Sequence, residues 1–422
     1  MTAVGPLDAM FLLGETREQA MHVGGLMLFE LPEGARDQVF PDGTRDYVSR
    51  LYEDITQNQT VNPLFTRRVR HRPVDLGYWS WSQDRDIDLE YHVRLSGLAR
   101  PGRFRELFEL TSRLHGTLLD RHRPLWEMHL IEGVQGRRFA LYSKIHHSLI
   151  DGVTALKWMQ NTLTTNPTQS NMPAPYALPD AGLADRHSPA DESVATGLAG
   201  GLPTAAELFS AVGRLPGEAG KAVGGVGRLL ADVAGLSPVG LKSALRVLQH
   251  EHSSVAFQAP QTVFNQPISA ARRFAAQSWP MERLEKVRAM TGATLNDVML
   301  AMCSGALRNY LIDLRALPDK GLTAMVPVSL RAPDGSGTGG GNSLATLIAD
   351  LATDEIDPEQ RIRRIMDSTT YGKSVLSQLS PMQNLMLGAL GLGSAGPAAV
   401  IPGLAGRTPP PYNLVISNIP GP

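Results

Sequence analysis

Two adjacent histidines, His146 and His147, are followed closely by Asp151 and Gly152, and these residue types can carry out proton transfer. Histidine has an unperturbed pKa of about 6.5, so it can accept a proton from a hydroxyl group and return it later. A carboxylate at this spacing can fix a neighbouring histidine, pair with a cation or cap a helix. A glycine here suits a tight turn or a close backbone approach. The stretch predicts acid–base chemistry. The alternative is that the two histidines are ordinary residues at the end of a strand.

Residues Phe139–His147 have the length and composition of a β-strand. Successive side chains of a strand point to opposite faces, so the two histidines are predicted to lie on opposite faces. Such a pair cannot serve one site equally, which argues against one metal ion held by both, and the sequence offers no obvious set of further ligands. The chain is then predicted to turn through Ser148–Gly152 and to form a helix over Val153–Leu163. Several apolar residues share the predicted face of His147: Phe139, Leu141 and Ile145.

The whole string His-His-Ser-Leu-Ile-Asp-Gly resembles the HHxxxDG motif of the CoA-dependent acyltransferase superfamily. That superfamily includes chloramphenicol acetyltransferase-like enzymes and peptide-synthetase condensation domains. Two further segments, Pro124-Leu125-Trp126 and Asn296-Asp297, resemble the PLW and ND motifs of the bacterial wax ester synthase/diacylglycerol acyltransferase family. Other segments look like the same family: Pro6-Leu7-Asp8, Val326–Arg331, Gly341-Asn342 and Ser417–Pro422. These matches run from residue 6 to residue 422, so the resemblance covers essentially the whole chain.

The resemblance implies an α/β fold of two chloramphenicol-acetyltransferase-like lobes, mixed sheets flanked by helices, with the active site in a channel between them. We expect an N-terminal lobe over residues 1–165, which carries the HHxxxDG motif, and a C-terminal lobe over residues 259–422. A crossover over residues 166–258 joins them, and its Gly/Ala-rich part has the spacing of an amphipathic helix. Family members usually continue past the last motif, so the second lobe is expected to lack its last elements. A C-terminal fragment or second subunit is therefore a candidate partner.

Beyond the crossover the sequence returns to alternating helix and strand patterns. Apolar periodicity predicts a strand over Arg272–Trp279 and a second strand over Leu322–Leu330. Between them it predicts a helix over Met281–Met290 and a long helix over Leu295–Leu314.

By resemblance, His147 is the general base that takes the proton of an acceptor hydroxyl, and His146 has a structural or secondary role. Asp151 orients the site without taking the proton, and Gly152 permits the approach of substrate or backbone. Asn296 lies early in a predicted helix, so its amide and the helix N-terminus could polarise a thioester carbonyl. Simple helix capping is the alternative for Asn296. No lipase-type nucleophile motif stands out, so we expect direct acyl transfer without a covalent acyl-enzyme.

Four further residues are candidate substrate-binding residues: Trp126, Asp297, Ser417 and Asn418. The alternative role for Trp126 is packing in the core, and the alternative role for Asp297 is packing between the lobes. The resemblance implies that acyl-CoA is the donor substrate and that no separate cofactor or metal is needed. The acceptor is expected to be diacylglycerol, which gives triacylglycerol, or a long-chain alcohol, which gives a wax ester.

Two other functions remain open from the sequence. One is an acyltransferase fed by a carrier protein, as in polyketide or lipid assembly. The other is a non-catalytic lipid-binding scaffold. The presence of His147, Asp151 and Asn296 argues against the scaffold.

Composition excludes several classes of protein. The 40 basic and 41 acidic residues of the 422-residue chain give a net charge of −1, which argues against nucleic acid as the main partner. A single cysteine, Cys303, excludes an intramolecular disulfide and a multi-cysteine zinc site. No segment has the pattern of a signal peptide or a convincing transmembrane helix, since Gly and Pro recur through the uncharged stretch 374–406. We expect a cytoplasmic protein attached peripherally to a membrane or lipid-droplet surface.

Overall fold

The computed structural model places several stretches of the chain, which divide into two units. The first unit includes the described residues up to 178 together with Ile268–Gln277, and the second includes the other described residues. The described residues are 2–4, 6–35, 47–57, 60–71, 79–150, 152–166, 169, 172–178, 259–329, 344–378 and 410–418.

Helices and strands alternate in both units, which confirms the predicted mixed α/β class. The helices are α1 Pro6–Gly14, α2 Tyr47–Thr56, α3 Leu89–His92, α4 Phe104–Gly116, α5 Gly152–Gln160, α6 Met281–Thr291, α7 Leu295–Asp313 and α8 Pro358–Gln378. The strands are β1 Thr2–Ala3, β2 His22–Glu30, β3 Arg67–His71, β4 Trp79–Gln83, β5 Val93–Gly97, β6 Trp126–Val134, β7 Arg138–His146, β8 Thr323–Ser329, β9 Leu344–Asp350 and β10 Leu414–Val415.

The main sheet of the first unit has the strand order β2-β7-β6-β5, so β7 lies inside it. Strand β7 is antiparallel to both of its neighbours, whereas β5 runs parallel to β6. Every residue of β7 from Phe139 to His146 is buried, because both faces of the sheet are covered. A smaller sheet of order β1-β4-β3 belongs to the same unit.

The two faces of β7 pack into different surroundings, as the predicted alternation requires. Phe139, Leu141 and Ile145 pack into the largest apolar cluster of the unit. Ala140 and Tyr142 lie on the other face, in a smaller cluster that includes residues of α4. Strand register is therefore strongly specified here, since a slip of one residue would exchange the two faces.

The strand ends one residue earlier than predicted. Strand β7 stops at His146, and His147 begins a turn in which its backbone N–H donates to the carbonyl of Met21 at 2.9 Å. The predicted helix follows as α5, over Gly152–Gln160. His147 is therefore presented by a turn between strand and helix and not by the strand itself.

The second unit contains a three-stranded sheet of order β10-β8-β9. Strand β8 pairs antiparallel with β9 and parallel with β10. The predicted helices over Met281–Met290 and Leu295–Leu314 are confirmed as α6 and α7, and the predicted strand over Leu322–Leu330 is confirmed as β8. Apolar residues of α7, α8 and the two longer strands form one cluster: Leu300, Leu311, Val326, Leu347 and Ile365.

The predicted strand over Arg272–Trp279 is wrong. This segment has no strand pairing, and its first part belongs to the first unit. The backbone N–H of Phe274 donates to the hydroxyl of Ser112 at 2.8 Å, and the Phe274 ring packs edge-on against Phe108. The β-type composition therefore reflects an extended segment that lies on helix α4 through side-chain contacts.

Among the described residues, no helix combines the length and apolar character needed to cross a bilayer. The predicted amphipathic crossover helix and most of the uncharged stretch 374–406 lie outside the described residues.

Candidate active site

His146 is fully buried at the end of β7, where Nδ1 is hydrogen-bonded to Ser148 and Nε2 faces Glu15. Its Nδ1 accepts the backbone N–H of Ser148 at 3.1 Å and lies 2.7 Å from the Ser148 hydroxyl. Its Nε2 lies 3.5 Å from a carboxylate oxygen of Glu15. The ring therefore links the residue after α1 to the turn after β7.

Glu15 is an almost fully buried carboxylate, and three groups hold it. Arg121 donates to Oε2 through Nε at 3.2 Å and through Nη2 at 3.0 Å. The backbone N–H of Met21 donates to Oε1 at 3.2 Å. Burial alone would raise the pKa of Glu15, but its contacts with His146, with the N–H of Met21 and with Arg121 outweigh burial and lower the pKa to about 2. Glu15 is therefore ionised at neutral pH.

His147 differs from its neighbour because its side chain is only half-buried. Its ring stacks on Phe11 of α1, with ring centroids 4.9 Å apart and planes inclined by 16°. Its backbone is fixed by the hydrogen bond to Met21. An imidazole that is both oriented and partly accessible can exchange a proton with a bound substrate.

Lys144 is a fully buried cation on the same face of β7 as His146. Its ammonium group lies 2.6 Å from Glu127 on β6 and donates to the carbonyls of Leu114 and Thr117 at 2.8 Å each. Those carbonyls lie at the C-terminal end of α4, where backbone acceptors lack intrahelical partners. Burial lowers the pKa of Lys144, and Glu127 opposes that effect. The buried ion pair thus joins α4 to the sheet.

A second pair of histidines, His22 on β2 and His115 on α4, links the main sheet to helix α4. Nε2 of His22 lies 2.8 Å from the carbonyl of His115, and the two rings meet edge to face. Nδ1 of His115 lies 2.9 Å from the hydroxyl of Tyr142. Burial lowers the pKa of His22 to about 4, and nearby Lys144 adds to the shift. His22 is therefore neutral at physiological pH.

Trp126 lies in the core of the first unit and is 1% exposed. Its Nε1 donates to the carbonyl of Phe65 at 2.8 Å, and its ring stacks on His92 with centroids 4.4 Å apart. These contacts favour the core-packing alternative for Trp126. Its contact with substrate stays a prediction.

Asn296 and Asp297 lie in the first turn of α7, and their surroundings differ. Asp297 is 4% exposed and accepts three hydrogen bonds, from the N–H and hydroxyl of Thr294 at 2.9 and 2.6 Å and from the hydroxyl of Thr369 at 2.7 Å. It thus closes a capping box and ties α7 to α8. The side-chain amide nitrogen of Asn296 is buried and finds no hydrogen-bond partner in the part of the chain that the structure describes.

The remaining predicted site residues are Gly152, Ser417, Asn418 and Asp151. Gly152 begins α5, which follows the histidine turn. Ser417 and Asn418 are exposed and follow β10. Asp151 lies outside the described residues.

Sequence reasoning did not find Glu15, Arg121, Lys144 or Glu127. For Lys144 and Glu127 a signal existed, because Lys and Glu are almost never fully buried unless they are paired. A lysine and a glutamate on two successive apolar strands therefore indicate a buried ion pair. Glu15 and Arg121 are 106 residues apart, and no local pattern links them.

Comparison with known proteins decides the family. The sequence profile of the wax ester synthase/diacylglycerol acyltransferase catalytic domain matches residues 4–299, and that of the WS/DGAT C-terminal domain matches residues 340–422. This chain belongs to the wax ester synthase/diacylglycerol acyltransferase family. Family membership confirms the predicted class of enzyme, an O-acyltransferase.

Individual members of the family agree with this assignment. A protein named probable diacylglycerol O-acyltransferase from Mycobacterium tuberculosis is 43% identical over 422 residues, which cover 100% of this chain and 84% of that protein. A putative diacylglycerol O-acyltransferase from Mycobacterium bovis has the same identity and coverage. The solved wax ester synthase/diacylglycerol acyltransferase from Marinobacter aquaeolei is 35% identical, with a TM-score of 0.70, over 100% of this chain and 83% of that one.

Proposed function

We propose that this chain transfers a long-chain acyl group from acyl-CoA to the hydroxyl group of diacylglycerol or a long-chain alcohol, with His147 as the general base. The observation that carries the proposal is the difference between the two motif histidines. His146 is fully buried, with Nδ1 hydrogen-bonded to Ser148 and Nε2 facing Glu15, whereas the oriented His147 ring stays partly accessible. Names of family members support diacylglycerol and long-chain alcohols as acceptors.

The reaction needs one proton acceptor and one oxyanion stabiliser. His147 removes the hydroxyl proton as the acceptor oxygen attacks the thioester carbonyl, which forms the new C–O bond and a tetrahedral oxyanion. Collapse of that oxyanion breaks the C–S bond, and protonated His147 gives its proton to the departing CoA thiolate. The products are one ester and one free CoA, and His147 returns to its neutral state.

Asn296 is our candidate for oxyanion stabilisation. Its buried amide nitrogen has no protein partner among the described residues and lies in the first turn of α7. A buried donor without a partner costs free energy unless something else accepts its hydrogen bond. A thioester carbonyl that becomes an oxyanion is such an acceptor.

A transfer assay with labelled long-chain acyl-CoA tests the proposal, with diacylglycerol and a long-chain alcohol offered separately. His147→Ala should lower product formation by about a hundredfold or more, which is the usual contribution of a general base. His122→Ala is the matched control, because His122 is an exposed histidine of the same unit. Wild-type turnover in His147→Ala would reject the base, and failure of the wild-type protein with both acceptors would reject the substrates.

We also propose that the enzyme works at a membrane or lipid-droplet surface facing the cytoplasm, where its apolar acceptors are concentrated.

A further inference from the structure

We propose that Glu15 is a positioning residue for acyl transfer, which acts through His146 on the turn that presents His147. This inference rests on the proposed role of His147 as the base. Glu15 follows α1 directly, and neither the HHxxxDG motif nor the PLW and ND motifs include it.

Hydrogen bonding fixes which nitrogen of the neutral His146 ring carries the proton. A backbone N–H can only donate, so Nδ1 is the acceptor of the Ser148 N–H. The ring proton must then lie on Nε2, which faces the Glu15 carboxylate at 3.5 Å. A negative charge at this position favours that tautomer and that ring orientation. The position of Glu15 thereby constrains, through the His146 ring, the position of Ser148, which directly follows His147.

The segment around Glu15 contacts the two histidines at three points. Phe11 stacks on the ring of His147, the carbonyl of Met21 accepts the His147 N–H, and Glu15 faces His146. Glu15 itself accepts the N–H of Met21. The Glu15 carboxylate therefore accepts a hydrogen bond from Met21, which holds the backbone of His147. It also faces His146, which holds the turn through Ser148.

Arg121 fixes this arrangement from a distant part of the chain. It donates to Oε2 of Glu15 and also to the carbonyl of Leu12 at 2.7 Å. It thus holds both the last turn of α1 and the carboxylate that follows α1. Since Glu15 is ionised and almost fully buried, its position is set by these partners and not by solvent.

Glu15→Gln tests the proposal, since it keeps the shape of the side chain and removes its charge. We expect kcat to fall about tenfold or more, because a small displacement of a catalytic group is costly, while KM for acyl-CoA changes less than about twofold. In long-range ¹H–¹⁵N spectra of histidine-labelled protein, His146 should show the single Nε2–H tautomer in the wild type and a mixture in the variant.

Glu127→Gln is the matched control. Glu127 is also a buried carboxylate with a pKa of about 2 and a cationic partner, and its cation is Lys144 rather than Arg121. The Glu127→Gln substitution makes the same chemical change in the same unit, at a residue that does not contact His146. It should therefore lower stability while leaving kcat within about threefold and the His146 tautomer unchanged.

Each outcome decides between positioning and general stability. Equal losses of kcat in Glu15→Gln and Glu127→Gln, or a wild-type kcat in Glu15→Gln, would overturn the proposal. If Glu15→Gln does not fold, Arg121→Gln removes the guanidinium group that holds Glu15. This variant should also lower kcat while KM for acyl-CoA changes little. The proposed base is tested separately: an inactive His147→Ala beside a fully active Glu15→Gln sinks only the positioning role, whereas a fully active His147→Ala sinks both.

Discussion

At the scale of single residues, the two motif histidines have opposite surroundings despite being neighbours. Strand alternation predicts that they differ, and they do. The cause is not the predicted one, because β7 ends at His146 and His147 belongs to the turn. Where a strand ends depends on hydrogen bonds to distant residues, here the Met21 carbonyl for His147. A local sequence pattern cannot contain that information.

Titration of single buried residues predicts how stability depends on pH. The folded pKa of His22 is about 4, below its ordinary value of 6.5. Between pH 6.5 and pH 4 the unfolded chain therefore binds a proton that folded His22 does not, so the free energy of unfolding falls as pH falls through this window. Glu15 and Glu127 act in a lower window, where the stability they contribute is lost as pH falls from 4.5 towards 2.

His22→Gln should flatten the upper part of this dependence, because glutamine can keep a donor towards the His115 carbonyl and does not titrate. The wild type should lose up to about 3 kcal/mol more than the variant between pH 6.5 and pH 4. Urea unfolding at a series of pH values measures the difference. His122→Gln changes an exposed histidine and should keep the wild-type slope, and an unchanged slope in His22→Gln would contradict the assignment.

At the scale of elements, helix α4 and the main sheet are joined by polar groups as well as by apolar packing. Lys144 and His22 lie on adjacent strands and both reach backbone carbonyls at the C-terminal end of α4. A positive charge such as that of Lys144 is favourable at a helix C-terminus, because the macrodipole leaves partial negative charge there. The alternation of β7 was predictable from its sequence. The partner of its second face was not, because α4 precedes β7 by more than twenty residues and carries no signal of where it packs.

Lys144→Met should destabilise the first unit by about 3–5 kcal/mol, because it leaves the buried Glu127 carboxylate without its closest cation and two carbonyls without a donor. The double variant Lys144→Met/Glu127→Met should recover part of that loss by removing the stranded charge. Chemical denaturation measures both values. Arg105→Ala breaks an exposed pair with Glu109 and should cost less than about 1 kcal/mol. A similarly small cost for Lys144→Met would contradict a stabilising role for this buried ion pair.

At the scale of the whole molecule, the motifs predicted the family, and local patterns predicted three elements of the second unit, α6, α7 and β8. Strands β9 and β10 and helix α8 were not predicted. Helix α7 has a strong local start signal in the Thr294–Asp297 capping box, and α6 ends at Gly292 in the left-handed conformation. Arg272–Trp279 has strand composition but no strand partner, because the neighbours that decide pairing are far away in sequence. The predicted lobe boundaries and the channel between the lobes stay predictions.

The proposed peripheral attachment predicts how the protein partitions in cell extracts. A protein held at a lipid surface by apolar and charged contacts should leave membranes on washing with alkaline carbonate, without detergent. Fractionation followed by immunoblotting measures this, with an integral membrane protein of the same cells as control. Retention of the enzyme alongside that control would contradict the proposed mode of attachment.

The complete burial of Lys144 also gives the folded protein a chemical reporter. All three ammonium donors are occupied and no part of the side chain is exposed, so amine-reactive reagents can modify this lysine only when the junction between α4 and β7 opens. The rate at which mass spectrometry detects the modified peptide would therefore measure the free energy of that local opening. The same measurement in the presence of acyl-CoA would reveal whether substrate binding tightens the sheet that carries His146.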